Sequence, residues 1–571
     1  MDSSVYTRYR TAFAQALARA LNAPVGEIER GIKAAEPAHG DLAFPTFSFA
    51  KAQRKAPPAI ASSVAAGLQV AGMDIAAVGP YVNARFTPMP FVGEVIDQVR
   101  ASGRTYGSSQ AGRGKTVVID YSSPNIAKPI AFHHIRSTVI GHSLANLYRS
   151  QGYQVEGINY LGDWGKQFGL VAVGFEEYGD PARKGEMAHL VEVYVKANAR
   201  AENDPAFDAR ARDFFRRMES GDDAALAVWR EFRETSLRDF RGLYQRLGIN
   251  FEHYEGESFY QGRMEETIDR VAKTVGVKES QGALVVDMPY AEGEPPVLLR
   301  KNDGSTLYAT RDLAAAIDRY ERFHFERALY VVGSDQSFYF RQLFSVLERM
   351  GMPWARACVH VGFGRVYGMS TRRGQVVLLE DVLDEAKIRA LEKVTENQKA
   401  GRIQTQDPER LAEQVGLGAI VFGDLKNRRL TDYTFEWDDL LNFEGHTGPY
   451  LQYAHARAAS VLRKAGGAPA AVDASPLKEP EELSLARSVA RFPIAVAEAV
   501  EANEPSIVAR HLLELAADFS RWYTLGNQER EKRVLVDDPA TRHARLGLTE
   551  AVQLTLGSGL TLLGIPTPET M

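Results

Sequence analysis

The chain of 571 residues contains a single cysteine, Cys358. One thiol excludes an internal disulfide and any cysteine-rich zinc cluster, and a reducing, cytoplasmic compartment suits it. Long hydrophobic runs are missing as well. No stretch of about eighteen apolar residues occurs, which argues against a membrane-spanning helix. The amino terminus, MDSSVYTRYRTAF, lacks a basic start followed by an apolar stretch and carries an early Asp, so neither a secretory signal nor a transit peptide is expected. There is no basic excess: 68 Lys and Arg against 73 Asp and Glu give a net charge of −5. That balance counts against a nonspecific nucleic-acid binder. It leaves room for a protein that reads one RNA by shape and splayed bases, with positive charge confined to local patches.

What remains is ordinary globular composition, 45% apolar and 25% charged, in a chain too long for one core, so three or four domains are expected. The most informative stretch is Tyr121 to Gly141, YSSPNIAKPIAFHHIRSTVIG. Before it, Thr116 to Tyr121 reads as a strand. After it, Ile135, Val139, Leu144 and Tyr148 recur at the spacing of one buried helix face, and Val155 to Tyr160 reads as a second strand, completing a βαβ unit. The free N–H groups and positive dipole end at such a helix start suit a triphosphate, and His134 and Lys128 would aim further donors at it. The same residues also fit a loop covering the core, with a paired His that caps a helix.

Residues 1 to about 110 form a mixed α/β segment, and the Gly- and Ser-rich run from Ala101 to Lys115 reads as a linker. From Gly169 to about residue 245 the chain is charged and helical, in the manner of solvated helices laced by i,i+4 pairs. Strand character returns at Ala283 to Met288, Pro296 to Leu299, Arg327 to Val332, Ala357 to Phe363 and Gln375 to Leu379. A helix carrying Phe340, Leu343, Phe344, Leu347 and Met350 closes at Gly351. Beyond about residue 385 the pattern is helical, interrupted by the loop AGGAPAAVDASPLK.

Four runs carry a family resemblance: SSPNIAK with HIRSTVIG at fixed distance, Asn159 to Gly169 (NYLGDWGKQFG), Gly368 to Gly374 (GMSTRRG) and Gly445 to Arg457 (GHTGPYLQYAHAR). Together they resemble class I arginyl-tRNA synthetases over nearly the whole chain. The resemblance implies a multidomain protein with an α/β Rossmann-type parallel-sheet catalytic core. It adds an α+β N-terminal domain that touches the tRNA elbow and an all-α C-terminal anticodon-binding domain. The expected divisions are 1–110, 111–385 with an inserted connective domain at about 172–300, and 386–571. It further implies a cytoplasmic, monomeric ligase of protein biosynthesis. ATP would be bound with Mg²⁺, arginine activated, and the arginyl group passed to the 3′ end of tRNA(Arg).

Arginine's guanidinium is permanently cationic, so a pocket selecting it needs fixed carboxylates in fork geometry. Tyr308 and Asp312 stand four apart on one helix face, a spacing equally ordinary for a surface pair. The resemblance makes them guanidinium ligands, assisted by Glu257 of Gly256-Glu257-Ser258, and assigns Ser123, Asn125 and Gln336 to the rest of the amino acid. It makes GMSTRRG the second class I signature. Met369 and Ser370 would then lie at the nucleotide, Arg372 and Arg373 at the departing pyrophosphate, and Lys128 would stand in for a missing leading lysine. The first signature departs from the family's His-x-Gly-His: Ala131 replaces the first His and His133 the Gly. His134 is expected to keep its place on ATP, with His133 partly substituting. No carboxylate cage for a resident metal is evident, so Mg²⁺ would travel with ATP. Tyr450, Tyr453 and Arg457 form one helix stripe, suited to stacking unpaired bases of tRNA or to core packing. Two rival readings stay open. The altered His motif permits a catalytically silent, RNA-binding or regulatory relative, and the sheet alone permits a small-molecule nucleotidyltransferase.

Overall fold

The structure, a computed structural model, describes residues 4–36, 38–126, 128–288, 295–302, 306–368 and 377–571. Its centre is a five-stranded sheet of β1 (Thr116–Asp120), β2 (Gln154–Leu161), β3 (His253–Gly256), β4 (Arg327–Tyr330) and β5 (Cys358–His360), in the order β5-β4-β1-β2-β3. Every neighbouring pair is parallel. Because side chains alternate across a strand, β1 feeds two cores. Val117 and Ile119 face one that α1 (Ile135–Ser150) covers with Ile135, Val139, Leu144 and Tyr148. Val118 faces the other, which α2 (Tyr308–Phe323) and α3 (Ser337–Arg349) cover with Leu313, Ile317, Phe340 and Leu347. Burial on both faces explains why β1 is a continuous β-branched run. Chain order reverses between β1 and β4, and in parallel sheets of this kind the carboxyl ends of the strands at such a reversal border the ligand crevice.

Between β2 and β3 run the helices Lys166–Tyr178, Met187–Ala201, Pro205–Glu219 and Asp223–Arg246. Two of them start on Asp caps: Asp204 accepts from the N–H groups of Ala206 and Phe207, and Asp222 from that of Ala225. The span expected for one insertion, about 172–300, is not continuous. Inside it β3 pairs with Ile158–Leu161 of the central sheet. Only afterwards comes a small antiparallel sheet of Lys278–Ser280, Ala283–Val286 and Val297–Arg300. The sequence HYEG of β3 is short and polar because it is an edge strand, so it carries no apolar run to read. Of the strand expected over Gln375 to Leu379, residues 375 and 376 lie outside the described residues and the rest differs. Leu378 makes a single bridge to Ala131, and Leu379 already opens the helix Leu379–Lys399, whose first turn holds Glu380 and Asp381 against the positive dipole end.

The N-terminal domain is α+β, with a four-stranded antiparallel sheet ordered Lys33–Ala34, Leu42–Pro45, Tyr81–Phe86, Met73–Val78, covered by helices such as Val5–Leu21 and Pro88–Ser102. The C-terminal domain is helical, built chiefly of Gly448–Lys464, Pro480–Ala502, Ser506–Gln528 and Pro539–Leu562. Ion pairs tie it and the helix before it inward, among them the following two. Arg487 meets Asp41 of the N-terminal domain at 2.6 Å. Arg136 of α1 meets Asp424 of the helix Pro408–Leu425 at 3.0 Å, both 1% exposed.

Candidate active site

At the carboxyl end of β1 the backbone turns through Ser122 (φ 70°) and Ser123 (φ 48°), two consecutive residues in the left-handed region. Such conformations cost about 1–3 kcal/mol each and persist only where the surroundings hold them. Here the Ser122 N–H donates to Ser137 Oγ at 2.9 Å, its hydroxyl lies 2.7 Å from that of Tyr244, and Ser123 Oγ donates to Asp120 Oδ1 at 2.9 Å. Asn125 follows, bridged to Gly162 beyond β2. A Cβ on Gly162 would stand 1.9 Å from Asn125 Oδ1, so the glycine of NYLGD is what lets the two segments run side by side.

The first signature forms a 3₁₀ turn, Phe132–His134, leading into α1. Its far side is stitched to the chain after residue 376: the Phe132 N–H donates to Val377 O at 2.8 Å and the Leu379 N–H to Ile130 O at 2.9 Å. Ala131 is buried while His133 is exposed, its ring 4.2 Å from that of His134. His133 has thus turned outward. Nδ1 of His134 lies 3.1 Å from Ala131 O; since a carbonyl only accepts, Nδ1 carries the proton and Nε2 of the neutral ring is an acceptor. Burial, reinforced by His133, pushes the His134 pKa down to about 4. The Lys128 ammonium sits 5.2 Å from the centre of the Tyr194 ring, on the inserted helix Met187–Ala201. The expected contributors Met369, Ser370, Arg372 and Arg373 lie outside the described residues.

Across the crevice the acidic groups converge. Glu257 follows β3 on a turn pinned by Asp163, a fully buried residue of the NYLGD run, which accepts from the Ser258 N–H and hydroxyl, each at 2.8 Å, and from Arg233 Nε at 2.8 Å. Gly256 is required there because a Cβ would lie 2.2 Å from the Asp163 carboxylate. Asp312, on the first turns of α2, accepts from the Tyr339 hydroxyl of α3. Burial pushes the Glu257 carboxyl up to about 7, with Arg311 opposing and Asp312 and Asp163 adding to the rise. Burial likewise raises Asp312 to about 6, against the pull of the Tyr339 hydroxyl and Arg319. Tyr160 of β2 feels both carboxylates. Two acids held this high and this close form a site short of a cation. Tyr308 stands at the rim, 57% exposed, its ring edge-on to Tyr339 at 5.1 Å. Gln336 is exposed on the 3₁₀ turn Ser334–Gln336 after β4.

Asp120, Tyr160, Arg319 and Tyr339 were not singled out from the sequence. Arg319, buried, pairs with Asp120 at 2.8 Å and lies 5.1 Å from the Tyr160 ring, so it links the Ser123 turn to the acidic pocket. A charged residue ending an apolar strand, as Asp120 does, was the available signal for it; Tyr160 and Tyr339 sit among ordinary core aromatics. Among the described residues no group of three or more His, Cys, Asp or Glu could hold a metal ion, and no helix is long and apolar enough to cross a membrane.

The stripe of the helix Gly448–Lys464 is divided. Tyr453 and Arg457 line a cavity of about 430 Å³ with Trp522, Tyr523, Arg533 and Met571. Arg457 lies over the rings of both Tyr453 (4.5 Å) and Tyr523 (5.0 Å). Tyr450 is not in that lining; its hydroxyl meets Ser520 at 3.2 Å and its ring packs on the core.

Three family models match the chain: "tRNA synthetases class I (R), catalytic domain" over residues 95–437, "DALR anticodon binding domain" over 451–571 and "Arginyl tRNA synthetase N terminal domain" over 7–86. The chain is 42% identical over 541 residues to the arginine–tRNA ligase of Alkaliphilus metalliredigens, covering 93% of this chain and 94% of that one. It is 41% identical over 573 residues to that of Ligilactobacillus salivarius, covering 99% and 100%. Among solved structures it resembles the arginyl-tRNA synthetase of Thermus thermophilus, with a TM-score of 0.83, 27% identity and coverage of 98% and 100%.

Proposed function

Because the chain belongs to the class I arginyl-tRNA synthetases, an arginine–tRNA ligase that uses ATP, we propose that the Asp312–Glu257 pocket is where arginine binds for activation. The observation that carries this reading is the pair of elevated carboxylates beside the crevice at the β1–β4 reversal. A guanidinium supplies the charge the pocket lacks, and its fork can engage two carboxylates where the point ammonium of lysine leaves acceptors unpaired. Tyr308 closes over it. Ser123, Asn125 and Gln336, on the crevice lip, take the α-amino and carboxylate end.

In the reaction the arginine carboxylate attacks the α-phosphorus of ATP, pyrophosphate leaves, and a terminal ribose hydroxyl of tRNA(Arg) takes the arginyl group. The protein's part is positioning and charge stabilisation. His134 and the start of α1 form the phosphate side, with His133 at its edge and Lys128 within reach of the same loop. Arg372 and Arg373, with Met369 and Ser370, would complete the pyrophosphate and nucleotide contacts. Mg²⁺ arrives with ATP.

Release of pyrophosphate from ATP, measured with and without arginine and tRNA, tests the reading. Release that requires arginine is expected; none under any combination would favour a silent relative. With arginine subsaturating, the rate should fall as pH drops through about 7, because the free pocket binds the cation only when Glu257 and Asp312 are ionised. A profile flat from pH 8 to 5.5 would contradict the assignment.

For tRNA, we place an unpaired anticodon base in the Tyr453–Arg457 cavity, and the elbow on the N-terminal domain, where Phe47 and Tyr81 form an exposed edge-on pair at 5.9 Å. Base stacking is worth about 1–3 kcal/mol, so Tyr453→Ala should raise the KM for tRNA about tenfold and leave that for arginine unchanged. Equal changes in both constants would move the RNA site elsewhere. The working divisions remain 1–110, 111–385 and 386–571, in a cytoplasmic monomer.

A further inference from the structure

The Tyr339 hydroxyl of α3 donates to Asp312 from outside its own helix, and Tyr160 of β2 bears on the same carboxylate. It reaches there because Ser337–Arg349 starts at the crevice, placing Tyr339 two residues into the helix and beneath Tyr308. The ring is half-buried, its hydroxyl turned toward the carboxylate. Tyr339 therefore touches two of the three side chains that the pocket presents to a guanidinium, Asp312 through its oxygen and Tyr308 through its ring.

We propose that Tyr339 is a positioning residue for arginine recognition: it fixes the Asp312 carboxylate through one oxygen, leaving the other for the guanidinium, and props Tyr308 over the pocket. This rests on the reading of Asp312 and Glu257 as the arginine site. A carboxylate on a helix can swing about two side-chain bonds; a hydroxyl bonded to one oxygen removes that freedom and prefers the ionised acid. The other groups facing Asp312 are Tyr160 of β2, Asp120 of β1, Glu257 after β3 and Arg319 on its own helix. Of these, Asp120 and Glu257 disfavour the ionised acid and Arg319 is already paired with Asp120. Loss of the Tyr339 hydroxyl leaves Asp312 more easily protonated and less well aimed.

The test compares Tyr339→Phe, Tyr339→His and Asp312→Asn in the full-length protein by arginine-dependent pyrophosphate exchange between pH 5.5 and 8.5, alongside thermal melts. Tyr339→Phe removes one oxygen atom and should melt near the parent. Its KM for arginine should rise about tenfold, the size of one charge-assisted hydrogen bond, with kcat and the KM for ATP within about twofold. The acidic limb of kcat/KM should move to higher pH, which a packing role would not produce. Tyr339→His keeps a donor but changes shape, and should lose less than Tyr339→Phe. If Tyr339→Phe leaves KM and limb unchanged, or if Tyr339→His is the more damaged variant, the proposal fails while a crippled Asp312→Asn keeps the pocket. If Asp312→Asn itself retains the parent KM, the pocket is misplaced and both readings fall.

Discussion

Replacing Asp312 by Asn is expected to lower kcat/KM for arginine by roughly a hundredfold or more, since removing one charge from a desolvated ion pair costs about 3 kcal/mol. The substitution keeps the volume and one acceptor while removing the charge and turning the second acceptor into an N–H donor. What makes the effect large is the surroundings: burial raises Asp312, and Glu257 adds its own field. An Asn at this position leaves Glu257 facing the guanidinium without its partner, and the planar fork loses one of two anchors. The loss should appear in KM. Discrimination against lysine should also weaken, because the second acceptor is what the ammonium cannot satisfy. A Michaelis constant within threefold of the parent would show that the cation lies elsewhere.

Asp424→Ala should destabilise the fold by about 3–5 kcal/mol, the cost of leaving a buried charge unpaired. Arg136 would be that charge. Its guanidinium is 1% exposed; besides Asp424 it donates to Gly364 O at 2.8 Å and Thr431 O at 3.0 Å and lies over the Tyr433 ring at 5.1 Å, and among these neighbours Asp424 is the one that carries negative charge. The Asp424 carboxyl is itself held above its usual range, burial outweighing the pull of Arg136. The intact pair therefore adds little net stability, and the penalty arises from breaking it. Asp424→Ala combined with Arg136→Met should melt above Asp424→Ala alone. Calorimetry of the three proteins checks this; a single variant that melts within about 2 °C of the parent would refute it. The same pair joins α1 to the helix Pro408–Leu425, and the Tyr433 hydroxyl donates to Asp424 at 3.0 Å from the strand Tyr433–Thr434, which pairs with Val366–Tyr367. Damage here should therefore reach activity as well.

The sequence was most legible where periodicity and a positional motif coincided. The run TVVID, the α1 stripe and the SSPNIAK turn carry both, and β1, α1 and the crevice follow from them. The i,i+4 relation of Tyr308 and Asp312 was legible for the same reason, since a helix places them on one face whatever lies around it. The strand β3 was not, because four polar residues at a sheet edge need no apolar pattern. Tyr339 and Tyr160 were hidden for a different reason. Their service to Asp312 depends on how α3 and β2 meet α2, and a tyrosine that packs and a tyrosine that donates look alike in one dimension. The division of the 450–457 stripe is of this kind too: Tyr450 and Tyr453 share a helical face, and only the neighbouring helix Ser506–Gln528 decides that one packs inward and the other borders the cavity.

The hydrogen bond from His134 to Ala131 has a further consequence. With Nδ1 committed to the backbone, the ring can greet a phosphate oxygen through Nε2 only after acquiring an extra proton, which burial resists and a polyanion encourages. The acidic pocket a few strands away works in the reverse sense, admitting its cation only once protons have left. On the proposed assignment, the phosphate side must gain a proton to donate and the acidic side must lose protons to hold its cation, so the two substrates make opposite demands on the pH of the solution.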